Sequence, residues 1–248
     1  SNFFPPNQRV ISIEDTRELN LPEFLYWCPL VTRTANAEGK GEVSMLDLLI
    51  NALRMRPDRI VLGETRRQKE AEVVFEAMHT GHSVYSTLHA DTANETIRRL
   101  TNPPINIPVS MLSSVNLNVV MFRDRRKGIR RVTQLAEFIQ GKDRANANIL
   151  YRWVPEKDAF VMHNKSLAFF DQLSRNTGMS EAEINQNLEE KKRIFDWLIK
   201  NKIRDLNSIG MIMNLYYTDY EGLKSIIKNN QVSKIVKREE TKWNGKDF

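Results

Sequence analysis

The 248-residue chain holds a single cysteine, Cys28, which excludes an intrachain disulfide and any zinc site built from a cysteine cluster. No apolar run approaches the roughly 20 residues that a membrane-spanning helix needs, so any membrane contact read from the sequence is peripheral. There is also no G-x-x-x-x-G-K-[ST] segment. The Gly-Lys pairs Gly39-Lys40, Gly141-Lys142 and Gly245-Lys246 continue into Gly41, Asp143 and Asp247, so a phosphate-cradling loop of that kind is missing. Neither sign of charge dominates, since 37 basic against 31 acidic residues leave a formal charge of +6. That excess suits nucleic acid or an anionic membrane, yet it is common in soluble proteins. The densest basic cluster, in the turn Arg123 to Gly128, has no interleaved aromatic residues. No nucleic acid is therefore expected as a partner.

What is present can build a core, because 41% of the residues are hydrophobic. The length predicts one large or two modest domains. The most organised stretch runs from Arg56 to Thr92. Ile60, Val61 and Leu62 form an apolar run that suits a parallel strand buried on both faces. Gly63 lets another group approach the strand end. Glu64 places a carboxylate at that end, where ligands bind in open α/β sheets. Ala71, Val74, Phe75 and Met78 recur at helical spacing before Gly81, a stop signal. Ser83 to Leu88 reads as a second buried strand leading into His89. An extended strand of that length sets His82 and His89 roughly 23 Å apart, at opposite ends of the sheet.

Around this stretch the elements follow in order. Val10, Ile11 and Ile13 read as a short buried strand that ends in the acidic run Glu14, Asp15, Glu18. Leu21 to Lys40, with Pro22, Pro29 and Gly39, reads as a loop, in which Trp27 and Phe24 pack. Val43 to Arg54 reads as an amphipathic helix with Leu46, Leu49, Ile50 and Leu53 on one face and Ser44 or Asp47 as its cap. Thr92 to Leu100 and Val109 to Val115 read as short helices. Leu117 to Phe122 and Ile129 to Phe138 read as a strand pair joined by the basic turn. Gly141 to Asn148 reads as a boundary, followed by a hairpin of Ile149 to Val154 and Ala159 to Met162. Beyond it the chain is helical, with a Ser180-x-x-Glu183 capping box and an apolar stripe of Ile184, Leu188, Phe195, Leu198 and Ile199. Leu206 to Tyr217 and Tyr220 to Lys228 read as helices, and Lys234 to Phe248 as a charged, frayed end.

Three of these segments carry a resemblance. VLGE resembles a Walker B strand with an acidic end, TGHSVYSTLHADT a histidine box, and ISIEDTRELNLP an aspartate box. In this order and spacing they resemble the secretion-superfamily ATPases, the motors of type II secretion, type IV pili and the archaeal swimming filament. LRMRPDRIVLGETR, NPPINIP and IFDWLIKNKIRDL resemble the archaeal branch. The resemblance covers nearly the whole chain, although the tetracysteine insert of many bacterial relatives is absent.

The resemblance implies an α/β fold: a truncated RecA-like P-loop NTPase core over residues 1–140, then a β-hairpin and a small helical region over 141–248. In the family the phosphate-binding loop precedes the strand that here begins near Arg9. The chain therefore reads as the C-terminal portion of a longer motor, with Ser1-Asn2 compatible with a cloning scar. The parent is expected to be a hexameric, cytoplasmic ATPase using ATP and Mg, peripheral at the inner face of the cell membrane and acting on a membrane-embedded platform protein. The chain alone is expected to be inactive and a monomer or weak dimer. The rival readings are a non-hydrolysing assembly module and a RecA-like DNA translocase.

Site residues follow from the same boxes. Glu14 directly follows a strand and is expected to orient and deprotonate the attacking water, with Glu18 as the fallback; the plainer reading is a solvated turn with a helix cap. By resemblance Glu64 helps position Mg through water, or else is a carboxylate favoured by a helix N-terminus. His82 and His89 sense phosphate or link the site to a neighbour, unless they are structural. Asp15 and Gly63 belong to the nucleotide-binding side. Arg66 stands there too, and with Arg54, Arg56 and Arg67 it contacts phosphate, contacts an adjacent subunit or balances local carboxylates. The cluster Arg123, Arg125, Arg126, Lys127, Arg130 and Arg131 either supplies an arginine across a subunit boundary or is a solvated hairpin tip.

Overall fold

The computed structural model describes residues 3–141 and 144–236. The predicted fraying of the last residues therefore lies mostly outside the described part, as do Lys142, Asp143 and the Gly245-Lys246 pair. The fold is mixed α/β, with one largely parallel and one antiparallel sheet, each of four strands. Two compact units share the chain. The larger comprises Arg9–Glu18 and Cys28–Ile184; the smaller comprises Ser1–Gln8, Leu19–Trp27 and Asn185–Phe248.

The parallel sheet forms where the apolar runs predict it. Strand β1 (Arg9–Glu14) carries Val10, Ile11 and Ile13, all fully buried. Strand β3 (Arg59–Glu64) pairs parallel with β1, and β4 (Ser83–Thr87) pairs parallel with β3. Strand β2 (Tyr26–Val31) completes the order β2-β1-β3-β4. This strand lies inside the stretch read as a loop because of its prolines. Pro29 is admissible there because β2 is an edge, where a missing N–H breaks no inner ladder. Strand β4 also departs from expectation: most of its residues are exposed, not buried. It too closes the sheet order, so only one flank is covered by a neighbour.

Two helices cover this sheet. Helix α1 (Met45–Arg54) begins with a capping box in which Ser44 accepts from Asp47 N–H and Asp47 accepts from Ser44 N–H, so both predicted caps act together. Its buried face is Met45, Leu49 and Ala52, while Ile50 is exposed. Helix α2 (Gln68–His79) buries Ala71, Val74, Phe75 and Ala77 and ends before Gly81, whose φ of +92° suits glycine.

Helix α3 (Ala93–Thr101), capped by Thr92, and a 3-10 helix over Val109–Ser114 lead into the second sheet. Its strands β5 (Asn118–Asp124), β6 (Ile129–Gln140), β7 (Ala145–Val154) and β8 (Ala159–Met162) form one antiparallel meander. The two predicted hairpins are thus joined: Glu137 to Gln140 of β6 pair with Ala145 to Asn148 of β7 across the polar stretch read as a boundary. Polar residues here belong to a partly solvated strand. Helix α4 (Phe169–Thr177) follows. Helix α5 (Glu181–Lys200) opens with the predicted Ser180–Glu183 capping box. In the smaller unit, Ile194, Trp197 and Leu198 of α5 pack with Ile212 and Met213 of α6 (Leu206–Thr218) and Leu223 of α7 (Tyr220–Lys228). The predicted stripe is rotated, since Leu188, Phe195 and Ile199 are exposed and Ile194 and Trp197 take the inner positions.

One buried carboxylate anchors the start of α4. Glu137, 1% exposed, accepts from Leu167 N at 2.5 Å and Asn148 Nδ2 at 2.8 Å on one oxygen. Its other oxygen accepts from Phe169 N and Ser166 Oγ, at 2.8 and 2.9 Å. Burial is the largest single influence and raises its pKa, but the hydrogen bonds from Leu167, Asn148, Phe169 and Ser166 together outweigh it and hold the group below the usual carboxylate value. Glu137→Ala should cost about 2–3 kcal/mol in urea unfolding at pH 7, because it strands several buried donors. The stabilising contribution of ionised Glu137 is present above the unfolded-state pKa and is lost as pH falls through the lowered folded value. The gap between wild type and Glu137→Gln should therefore narrow below about pH 4; a gap constant from pH 7 to 3 would contradict this account.

Candidate active site

The carboxyl ends of β1, β3 and β4 lie along one edge of the sheet because all three strands run the same way. Two of those ends, of β1 and β3, lie side by side at Gly63. A Cβ placed on it would lie 3.4 Å from Ile13 O and 3.6 Å from Glu14 Cα. The pairing of β3 with β4 shifts register at this glycine, with Leu62 opposite Ser86 and Glu64 opposite Thr87. Such a bulge re-aims the next side chain, and here that side chain is Glu64. Thr87 Oγ1 donates to Gly63 O, and Thr65 and Ser86 share a hydroxyl hydrogen bond of 2.7 Å, which pins the bulge to β4.

A continuous chain of charges lies over this edge. Asp15, just after β1, accepts from Arg66 Nη1 at 3.1 Å. Arg66 also donates to Glu64 Oε2, through Nε at 2.9 Å and Nη2 at 2.7 Å. The other Glu64 oxygen faces His89 Nε2 at 3.4 Å. The Glu64 carboxylate, by hydrogen bond and charge, makes the Arg66 guanidinium still harder to deprotonate. Of the three roles open to Arg66 in the sequence, the one seen here is balancing local carboxylates. Thr32 Oγ1 donates to Asp15 at 3.2 Å, steadying it from after β2.

Glu14 ends β1 and is 4% exposed, and its Oε1 accepts the Glu18 N–H at 3.0 Å. The carboxylate therefore shapes the acidic turn, while Glu18 points to solvent as an exposed residue. His82 stands apart from the cluster. It precedes β4 and its Nδ1 lies 3.2 Å from both Ala77 O and Thr80 Oγ1, at the end of α2. The expectation that the two histidines occupy opposite ends of the strand agrees with this placement. Arg67 is the N-cap residue of α2 and donates its backbone N–H to Glu70. In the basic turn Arg123, Arg125, Arg126, Lys127 and Arg130 are exposed. Arg131 is engaged by Asp158 through contacts of 2.6 and 2.5 Å. The Arg131 guanidinium, with Trp153 Nε1–H, lowers the Asp158 pKa to about 2.

Sequence reasoning missed the Thr65–Ser86 and Thr87–Gly63 ties and the role of Thr32. Hydroxyls at strand ends carry no spacing signal; only the register of β3 against β4 brings them together.

The sequence model of the type II/IV secretion system protein family matches residues 1–157. An uncharacterised protein of Methanocaldococcus jannaschii is 36% identical over 207 residues, which are 82% of this chain and 76% of that protein. A second from the same organism is 35% identical over 232 residues, covering 89% of this chain but 41% of its own length. Among solved structures, the VirB11 ATPase from the Brucella suis type IV secretion system, in complex with sulphate, overlays with a TM-score of 0.42 at 28% identity, covering 53% of this chain and 40% of that one. The chain thus spans about two fifths of the longer archaeal relative.

The close approach at Gly63 yields a graded expectation. Gly63→Ala should change unfolding free energy by less than about 1 kcal/mol, since its Cβ meets Ile13 O at an ordinary 3.4 Å. Gly63→Leu should cost about 2 kcal/mol or more by forcing β1 and β3 apart. Equal denaturation midpoints for the two variants would show that the strand ends do not touch as described.

Proposed function

Because this chain belongs to the type II/IV secretion system protein family, we propose that it is the C-terminal part of a motor that couples Mg-ATP hydrolysis to pilus-like filament assembly or protein secretion. The observation that carries the reading is the Asp15–Arg66–Glu64–His89 chain at the carboxyl edge of a parallel sheet, the place where such sheets bind ligands. Residues 1–140 are the core on this reading, and 141–248 the appended part. The parent is a homo-hexamer that works against a membrane-embedded platform protein at the inner face of the membrane; this chain alone is a monomer or weak dimer.

The roles divide by position. Glu14, on the rigid end of β1, accepts a proton from the attacking water, and Glu18 is its fallback. Glu64 offers a hard carboxylate oxygen, the donor type that suits Mg held through water and completed by substrate phosphates, and Asp15 stands on the nucleotide-binding side. Bound there, Mg would neutralise charge on the β- and γ-phosphates. Arg66 is then free to exchange a carboxylate for a phosphate oxygen, and His89 follows the change because it shares Glu64. Gly63, where β1 and β3 lie side by side, belongs to the nucleotide-binding side. His82 links α2 to the start of β4. No helix among the described residues is long and apolar enough to cross a membrane.

This chain, without a G-x-x-x-x-G-K-[ST] loop, should bind Mg-ATP more weakly than micromolar in isothermal titration and should not hydrolyse it. In a longer parent that carries the loop, Glu14→Gln should lower turnover by about 10²-fold or more with nucleotide affinity nearly kept. Glu64→Gln should also slow turnover and steepen its dependence on magnesium. Full activity in Glu14→Gln together with loss in Glu18→Gln would move the base to Glu18. Activity in both, and in Glu64→Gln, would remove the ATPase assignment of this edge.

A further inference from the structure

The strand that carries Glu14 is bracketed in the chain by segments of the smaller unit. Arg9–Glu18 belongs to the larger unit, while Ser1–Gln8 before it and Leu19–Trp27 after it belong to the smaller one, with Asn185–Phe248. The chain therefore leaves the larger unit directly after the acidic turn and re-enters it at Cys28. On the entry side, the Phe3 ring meets that of Phe195 in α5 edge to face, with centroids 5.2 Å apart. The Phe3 carbonyl accepts from the Tyr217 hydroxyl of α6 at 3.1 Å. On the exit side, Leu21, Pro22 and Leu25 are buried. The Leu25 N–H donates to Pro22 O at 3.1 Å and closes a turn. That turn sits on Gly210, a buried residue of α6. A Cβ on Gly210 would stand 2.7 Å from Pro22 Cβ, 2.9 Å from Pro22 Cγ and 3.1 Å from Phe24 Cε1. All three lie inside the roughly 3.5–4.0 Å at which carbon atoms pack best. Glycine within a helix is disfavoured against alanine, and the contact with Pro22 is the packing reason for one here.

We propose that α6, through the contact of Gly210 with Pro22 and Phe24, positions the acidic turn, so that the smaller unit sets the geometry of Glu14. The inference rests on the reading of Glu14 as the base. Gly210 and Pro22 are then positioning residues, which act through Glu14. The connection is short and covalent. Three residues, Leu19, Asn20 and Leu21, separate Pro22 from Glu18. The Glu18 N–H donates to Glu14 Oε1 at 3.0 Å, so the place where the chain leaves Glu18 bears directly on the carboxylate. A second hydrogen bond at Glu14 is of another kind: the Thr32 N–H donates to Glu14 O at 3.1 Å. That acceptor belongs to the backbone of β1, which its parallel pairing with β3 holds. A displacement of Pro22 therefore acts on the bond to the side chain and leaves the bond to the backbone. A load on the smaller unit is passed to the base by the same route, a task for helices that carry no catalytic constellation of their own.

The test separates positioning from catalysis. In the 248-residue chain without nucleotide, amide exchange at Glu18 should quicken about tenfold in Gly210→Ala. Exchange at Thr32 and at Ile60 to Leu62 should stay as in wild type, and helix content by circular dichroism should be kept. Phe24→Ala loosens the same contact by removing atoms and should quicken Glu18 as well. Pro22→Gly removes both atoms nearest to the added methyl group. Combined with Gly210→Ala, it should bring Glu18 to within about twofold of Pro22→Gly alone. In a longer parent that carries the phosphate loop, Gly210→Ala should lower kcat about tenfold with KM for ATP nearly kept, and adding Pro22→Gly should return kcat to that of Pro22→Gly alone. Unchanged exchange at Glu18 in both Gly210→Ala and Phe24→Ala overturns the proposal. So does a loss of kcat that Pro22→Gly does not rescue, or exchange that quickens equally at Glu18, Thr32 and β3, which is general loosening. Full turnover in Gly210→Ala together with its loss in Glu14→Gln would reject this inference and keep Glu14 as the base; the expected exchange pattern with full turnover in Glu14→Gln would do the reverse.

Discussion

The structure of the candidate site depends on one constraint, the register shift of β3 against β4 at Gly63. A Cβ on Gly63 would stand at ordinary van der Waals distance from the backbone of Ile13 and Glu14. At the same place the register of β3 against β4 shifts by one residue, and Glu64 turns to the edge of the sheet. Each member of the charged chain takes its position from that turn. Arg66 reaches back to Asp15 because the end of β1 is near, and His89 meets Glu64 because β4 ends at the same level.

Exposed ion pairs of this sort add little to stability, since solvent screens them and ordering long side chains opposes them. Their arrangement matters for a different reason. One arginine and one histidine are held by two carboxylates at an open edge, and Glu14, at the end of β1, is buried. The stability of the region comes instead from the fully buried Ile11, Ile13, Ile60 and Leu62 beneath it, with Leu49 of α1 and Val74 of α2. On the proposed reading, the packed strands below give the charged residues above a rigid support.

Much of this was legible in the sequence because it rests on local signals. The apolar runs of β1 and β3, the caps Ser44 and Ser180, and Gly81 each act within a few residues of themselves. What escaped depends on neighbours distant in sequence. Strand β2 was hidden by Pro29, which only an edge position admits. The exposure of β4 was hidden because Val and Tyr read the same in an inner strand as in an outer one. The union of two hairpins into one sheet was hidden by the polar residues Asn146 and Asn148, which pair with Ile139 and Glu137. Ile50, Leu188, Phe195 and Ile199 fit the helical periodicity yet face outward, since the face that is buried is set by the partner and not by the helix alone.

The exposure of β4 follows from its place in the parallel sheet, since as the last strand it has a neighbour on one flank alone. Such a sheet presents its functional loops at one edge, and each loop is placed by the strand that precedes it. In this chain the strands that deliver Glu14, Glu64 and His89 are in position, and beside the last of them lies a groove bounded by a second sheet edge. The charges at the carboxyl edge are balanced among the chain's own residues, Arg66 by Asp15 and Glu64 and His89 by Glu64. On the proposed reading, an anion bound there has to displace part of that balance.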